Sequence, residues 1–209
     1  MIAVIDYGMG NLRSVQKALE HVGAKVIVTH DPNLIISADS VVLPGVGAFK
    51  DCMANLTQLK LVDPIRKFID GGKPFLGICL GLQVLFEESE EYGPVAGLGV
   101  LPGKVVKFTS ASSETKGGSP IKIPHMGWNN IEVKKRVPLF DKLDAEPYFY
   151  FVHSYYVVPE DQSMVATVTN YGVEFVSGIQ YRNIYAFQFH PEKSQTVGLS
   201  LLERFSNLN

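Results

Sequence analysis

Two sets of residues in this 209-residue chain have the chemistry to form and break a covalent bond together. The first is Cys79, in the stretch Lys73-Pro-Phe-Leu-Gly-Ile-Cys79-Leu-Gly-Leu-Gln83. The apolar run Phe75 to Ile78 reads as a buried strand, and Leu80 to Phe86 has the spacing of a helix. Cys79 therefore stands at a strand-to-helix corner, held up at the end of a sheet. Gly77 and Gly81 flank it, and their missing Cβ atoms let two backbones pass close on either side of a tight turn. This is the nucleophile elbow, with sulfur where hydrolases place a serine oxygen. The positive end of the following helix favours negative charge on that sulfur. The second set is Phe187-Gln-Phe-His190-Pro191-Glu192. His190 and Glu192 share one side of an extended backbone, and Pro191 keeps the residue before it extended. A carboxylate beside an imidazole fixes its tautomer and stabilises the imidazolium, the role of the third member of a triad. Cys79 and His190 are far apart in sequence, so only a fold can unite them.

Other residues could complete such a site. Pro44-Gly45-Val46-Gly47 follows a predicted strand, and its glycines permit a flipped backbone N–H. The amide of Val46, with that of Leu80 after the nucleophile, makes a candidate oxyanion hole. Ser154 and Tyr155 could present backbone and hydroxyl groups to a polar substrate, whereas His153 reads as a structural, hydrogen-bonded histidine. Trp128, the only tryptophan, falls in Met126-Gly-Trp-Asn129, which reads as a loop and suits an interface anchor as well as a core position. Gly8-Met-Gly10 follows a first strand, but Arg13 replaces the third glycine of a dinucleotide loop. Cys52, in a helical segment from Phe49 to Leu59, reads as packing, and His21 and His30 as surface residues.

The elements that must position these groups alternate. Ile2 to Ile5, Lys25 to Thr29 and Ser40 to Leu43 read as strands, the first followed by a helix with Leu12, Val15, Leu19 and Val22 on one face, and Asp31-Pro32 as a turn. That rhythm predicts an α/β fold with a mostly parallel central sheet flanked by helices. Ligands on such sheets gather at the carboxyl ends of the strands. The acidic run Glu87 to Glu91 reads as a solvated helix end, Gly93 to Gly99 as a turn-rich passage, and Thr109 to Ser119 as a mobile polar loop. Val100 to Phe108 reads as strand and turn, Tyr148 to Val158 as strand interrupted at His153-Ser154, and Met164 to Thr169, Val173 to Ile179 and Ile184 to Phe189 as three short strands suited to antiparallel pairing. The length fits one domain, 1–209. A net charge of −2 gives no electrostatic argument for nucleic acid or an anionic membrane. Two cysteines and an N-terminus that reads as a strand point to a reducing, cytoplasmic setting.

The two sets together resemble the class I (triad) glutamine amidotransferases, and the resemblance covers nearly the whole chain. Within them, Asp6-Tyr-Gly-Met-Gly-Asn11, Pro44-Gly-Val-Gly47, Met126-Gly-Trp-Asn129 and the final helix are similar to the glutaminase subunits of imidazole glycerol phosphate synthases. The resemblance implies a flavodoxin-like fold with added antiparallel strands in the C-terminal half, and no cofactor or metal. It implies Cys79, His190 and Glu192 as catalytic residues, Val46 and Leu80 as oxyanion donors, and a glutamine site lined by Gly45, Gly47, Gln83, Ser154 and Tyr155. It also implies a separate (β/α)₈-barrel cyclase partner, met through Asn11, Trp128, Tyr150 and Lys193, to which ammonia from L-glutamine is passed. Two other readings use the same residues: a cysteine hydrolase of γ-glutamyl peptides, and a triad-bearing module that only regulates a partner.

Overall fold

Alternate residues of the first strand, β1 (Ile2–Ile5), enter two different apolar clusters, Ala3 and Ile5 one, Ile2 and Val4 the other. A strand apolar on both sides must be covered on both sides. The structure, a computed structural model, describes residues 1–109, 121–141, 143 and 146–208. In it, β1 lies between β2 (Val26–Thr29) and β3 (Ser40–Gly45), and β3 pairs with β4 (Phe75–Cys79), all parallel. One face carries α2 (Pro32–Ser37), α3 (Phe49–Gln58) and α4 (Val62–Asp70), which contribute Ile35, Phe49, Cys52, Leu56, Ile65 and Phe68. The other carries α1 (Leu12–His21), through Val15 and Leu19, and α6 (Gln195–Ser206), through Leu201, Leu202 and Phe205. Cys52 is fully buried, as its packing role required.

Two elements differ from expectation for local reasons. Asp31-Pro32 starts a helix: the Asp31 carboxylate accepts the Asn33 N–H at 2.8 Å and Pro32 takes the first helical position, where its missing N–H costs nothing. Strand β3 runs two residues past Leu43, through Pro44 and Gly45. Its pairing with β1 ends at Val42, so Pro44 needs no ladder donor on that side and matches Ile78 of β4 on the other.

The segment after Cys79 departs furthest. The helix α5 covers only Leu80–Gln83, because the carbonyls of Val84, Leu85 and Phe86 accept N–H groups of Leu98, Val100, Leu101 and Gly99 instead of continuing a helix. The acidic run then enters a strand, β5 (Phe86–Ser89), parallel to β7 (Leu101–Lys107) and antiparallel to the short β6 (Val95–Ala96). Glu87, Glu88 and Glu90 stay exposed, as a solvated segment should, but the segment is strand rather than helix end. Glu87, Glu90 and Glu91 accept the backbone N–H groups of Gly103, Lys107 and Phe49, the first at 3.0 Å and the last at 2.7 Å.

The C-terminal half adds the antiparallel strands. β11 (Tyr155–Pro159) pairs with β7, β12 (Val165–Asn170) and β13 (Glu174–Tyr181) pair together, and β13 pairs with β14 (Ile184–Phe187). β14 is the junction: antiparallel to β13, it is parallel to β4, with Phe187 opposite Ile78. The Met-Gly-Trp-Asn motif is strand rather than loop. β8 (His125–Asn130) and β10 (Tyr148–His153) form a separate antiparallel pair that places Trp128 opposite Tyr150, while β9 (Glu132–Val133) joins β12. The polar stretch 109–119 lies, apart from Thr109, outside the described residues.

Candidate active site

Cys79 ends β4 with a φ of +55° and a ψ of −107°, a conformation costly for a residue with a side chain. The backbones on either side of it pass close together. A Cβ on Gly81 would stand 1.9 Å from the Leu43 carbonyl oxygen, and one on Gly77 would stand 2.6 Å from that of Gly81. Only glycine at both positions lets α5 turn back across β3 and β4 this tightly. The sulfur is nearly buried and lies 3.9 Å from the Val152 carbonyl. With only four residues, α5 has little of the dipole expected of a longer helix, so charge at the sulfur must be met from elsewhere.

It is met from β14. Because Phe187 is level with Ile78, the chain leaves β14 at the same end of the sheet as Cys79. The turn that follows is tied to β10: the His190 N–H donates to Tyr150 O at 2.9 Å, and the Ser194 hydroxyl donates to His190 O and accepts the Tyr150 N–H. Within that turn His190 Nδ1 and Glu192 Oε1 are 2.8 Å apart, both side chains buried. Among the described residues His190 Nε2 is buried without a hydrogen-bond partner, and a polar atom left so calls for a functional reason. Burial alone would push the imidazolium down, but negative charge on Cys79 and the Glu192 carboxylate hold His190 up at about 10. A cysteine in a strained corner, with a histidine that carries its own carboxylate, can carry nucleophilic acyl transfer.

The glutamine amidotransferase class-I family profile matches residues 3–207. The chain belongs to that family. Among curated relatives, the imidazole glycerol phosphate synthase subunit HisH of Syntrophotalea carbinolica is 54% identical over 208 residues, covering 100% of both chains. The protein of the same name from Aquifex aeolicus is 56% identical over 203 residues, 97% of this chain and 94% of its own. A crystal structure of a glutamine amidotransferase matches with a TM-score of 0.74 at 16% identity over 100% of both chains. The structure of PurLQS from Thermotoga maritima matches at 0.70 and 20% identity, over 98% of this chain and 94% of that one. These last two likenesses concern the fold alone.

In this amidotransferase a cavity of about 440 Å³ opens over the sulfur, lined by Val46, Gly47, Leu80, Gln83, Ser154 and Tyr155 among others. Gly45 is not in its wall. It is buried behind Leu80, opposite Cys79 in the β3–β4 register. Gln83 donates to the Tyr155 carbonyl at 3.0 Å, so one substrate-facing strand is pinned to the elbow helix. Glu91 also reaches the cavity; burial and then the charge of Glu91 push the Tyr155 phenol up. Sequence reasoning passed over Glu91 because an acidic run has no periodicity that singles out one carboxylate.

The four residues implied at a partner interface are mostly together. Trp128 and Tyr150 meet edge to face with centroids 6.2 Å apart, and Lys193 Nζ lies 5.8 Å from the Tyr150 ring. Asn11 is exposed and caps α1, accepting the Ser14 N–H. Met126 and Tyr148, also exposed, lie on the same β8–β10 pair.

Proposed function

We propose that this chain is the glutaminase subunit of an imidazole glycerol phosphate synthase, a single domain that hydrolyses L-glutamine through a Cys79 thioester. One observation carries the chemistry: a strained, nearly buried cysteine beside a histidine whose free nitrogen has no other partner among the described residues. The pathway rests on relatives, matched over 94–100% of their own length, that carry that subunit name.

Glu91 supplies the negative charge that suits the α-ammonium of glutamine, and Ser154 and Tyr155 line the same cavity. The Cys79 thiolate attacks the carboxamide carbon, and the oxygen takes up the electron pair. The amide of Leu80, one of the first N–H groups of α5 and without a partner inside the helix, and that of Val46 stabilise it, at roughly 3–4 kcal/mol per donor. His190 gives its proton to the nitrogen as the C–N bond breaks. Acylation removes the negative charge from sulfur and with it one of the influences that held His190 protonated. Burial then favours the neutral ring, which accepts a proton from the attacking water. The C–S bond breaks and glutamate leaves. Glu192 fixes the tautomer throughout, so that Nε2 faces the reacting atoms.

The subunit name implies a partner. Ammonia freed into water would be protonated, so it passes to a (β/α)₈-barrel cyclase docked on Trp128, Tyr150, Lys193 and Asn11. There it converts a phosphoribulosyl aminoimidazole-carboxamide intermediate (PRFAR) to imidazole glycerol phosphate and an aminoimidazole carboxamide ribotide (AICAR), in the cytoplasm. No helix among the described residues is long and apolar enough to cross a membrane. The test is glutamate release by the purified chain, alone and with the cyclase subunit and its ligand. Stimulation by the partner that vanishes in Cys79→Ala is expected. Partner-independent hydrolysis of other γ-glutamyl amides would move the chain to the peptide-hydrolase reading.

A further inference from the structure

Gln188 lies between β14 and His190, fully buried, and the triad does not use it. Its backbone N–H is committed to Ser177 O at 2.9 Å, so the residue cannot slide along the strand. The side chain has two contacts. Oε1 accepts from Gln83 Nε2 at 3.1 Å, and Nε2 donates to Cys79 Sγ at 3.6 Å, within the range for a bond to sulfur.

The direction of the second bond follows from the first. Gln83 Nε2 also donates to the Tyr155 carbonyl, which can only accept. Gln83 must therefore turn its NH₂ towards Gln188, and Gln188 must answer with its oxygen. Its own NH₂ is left facing the sulfur. A buried donor whose other end is locked is pre-organised to meet charge there without rearranging.

We propose that Gln188 is a catalytic residue of the glutaminase reaction, its side-chain N–H stabilising negative charge on the Cys79 sulfur. It does so in the attacking thiolate, and again when the tetrahedral adduct of water on the thioester collapses. In that step the C–S bond breaks, its electron pair returns to sulfur, and the water's proton resides on His190. Gln188 transfers no proton and forms no covalent bond. The site thus addresses the two developing anions with different groups: backbone amides at the carboxamide oxygen, and Gln188 with His190 at the sulfur. The same amide links sulfur to the substrate wall through Gln83 and Tyr155.

This assignment rests on Cys79 being the nucleophile, so the experiment includes Cys79→Ala. Steady-state glutaminase kinetics are measured on the complex with the cyclase subunit, and Cys79 alkylation by iodoacetamide on the chain itself at a fixed pH of about 7.5. Gln188→Met keeps the length and loses the donor; kcat and the alkylation rate should each fall about 10- to 100-fold, as for loss of a charge-assisted hydrogen bond, with KM changed less than about threefold. Gln188→Glu keeps the oxygen that Gln83 needs and replaces the donor with an ionisable group. Its kcat should fall further as pH rises, a limb that Gln188→Met lacks and that a packing defect would not produce. Either folded variant retaining kcat and alkylation within about twofold would overturn the proposal. Unchanged turnover in Cys79→Ala would instead remove the glutaminase reading beneath it.

Discussion

Glu192 has no substrate contact to lose, and its value is tested by a change of one atom. Glu192→Gln keeps the shape but can offer its NH₂ to His190 Nδ1, which would favour the tautomer with the proton on Nε2. The expected loss is about 10²- to 10⁴-fold in kcat with KM nearly constant, read in the partner-stimulated glutaminase assay. Gly81 makes a prediction of the opposite kind. Gly81→Ala places a methyl carbon 1.9 Å from the Leu43 carbonyl oxygen, and backbone cannot rotate away as a side chain can. Destabilisation of about 3 kcal/mol or more is expected in urea unfolding. At this scale the sequence was most informative. The cysteine corner with its two glycines and the His-Pro-Glu turn, proposed to hold nucleophile, base and carboxylate, were legible from local patterns, because each is specified within a few residues. Glu91 and Gln188 were not, since each matters only through a group elsewhere in the chain.

Between the elements, β8 and the β10–β11 turn share a chain of buried donors and acceptors. His153 Nδ1–H donates to Tyr155 O at 2.8 Å, which leaves His153 Nε2 to accept from His125 Nδ1–H at 3.0 Å, and His125 Nε2 to accept from Asn129 at 3.2 Å. Both rings must be neutral for the chain to run this way. Burial lowers His125 to about 4, and burial first, then the nearby His125 and His190 charges, lower His153 to about 3 despite the Tyr155 carbonyl. In the unfolded chain both would titrate near pH 6.5. Their contribution is therefore fully present above about 6.5 and is lost as pH falls towards the folded values. Each costs roughly 1.4 kcal/mol of stability per pH unit across that window. His190 has the opposite sign, its contribution being complete below about 6.5 and lost as pH rises through about 10. Urea unfolding of the chain at pH 7 and pH 5 should show the acid loss, and His125→Gln should reduce its slope by about half. At this scale the sequence was only partly readable. Strand β8 looked like a loop because Gly127 and two asparagines are poor strand formers, and its pairing with β10 overrides that preference. The acidic strand β5 was misread for the same reason: its place beside β7 outweighs the composition.

For the whole molecule, three exposed side chains, Met126, Trp128 and Tyr148, each 46–62% exposed, share the β8–β10 pair. A large apolar patch on one face marks an interaction surface. Trp128→Ala should weaken binding of the cyclase subunit about 30-fold or more, as for an interface anchor, measured by calorimetry, while the thermal stability of the free chain changes little. Because Tyr150 lies against both Trp128 and Lys193, and Lys193 lines the cavity, the same substitution is also expected to reduce partner stimulation of glutamate release.

The alternation of apolar strands and helices, the glycine-flanked cysteine and the His-Pro-Glu turn were determined by local sequence, since each rests on backbone preferences and side-chain periodicity within a short window. Bringing His190 to Cys79 depended on β14, which reads as one more strand of an antiparallel series yet lies parallel to β4 as well. No local pattern encodes which strand is its second neighbour. That choice belongs to the whole sheet, settled by which faces must be buried together, and it converts two distant motifs into one site.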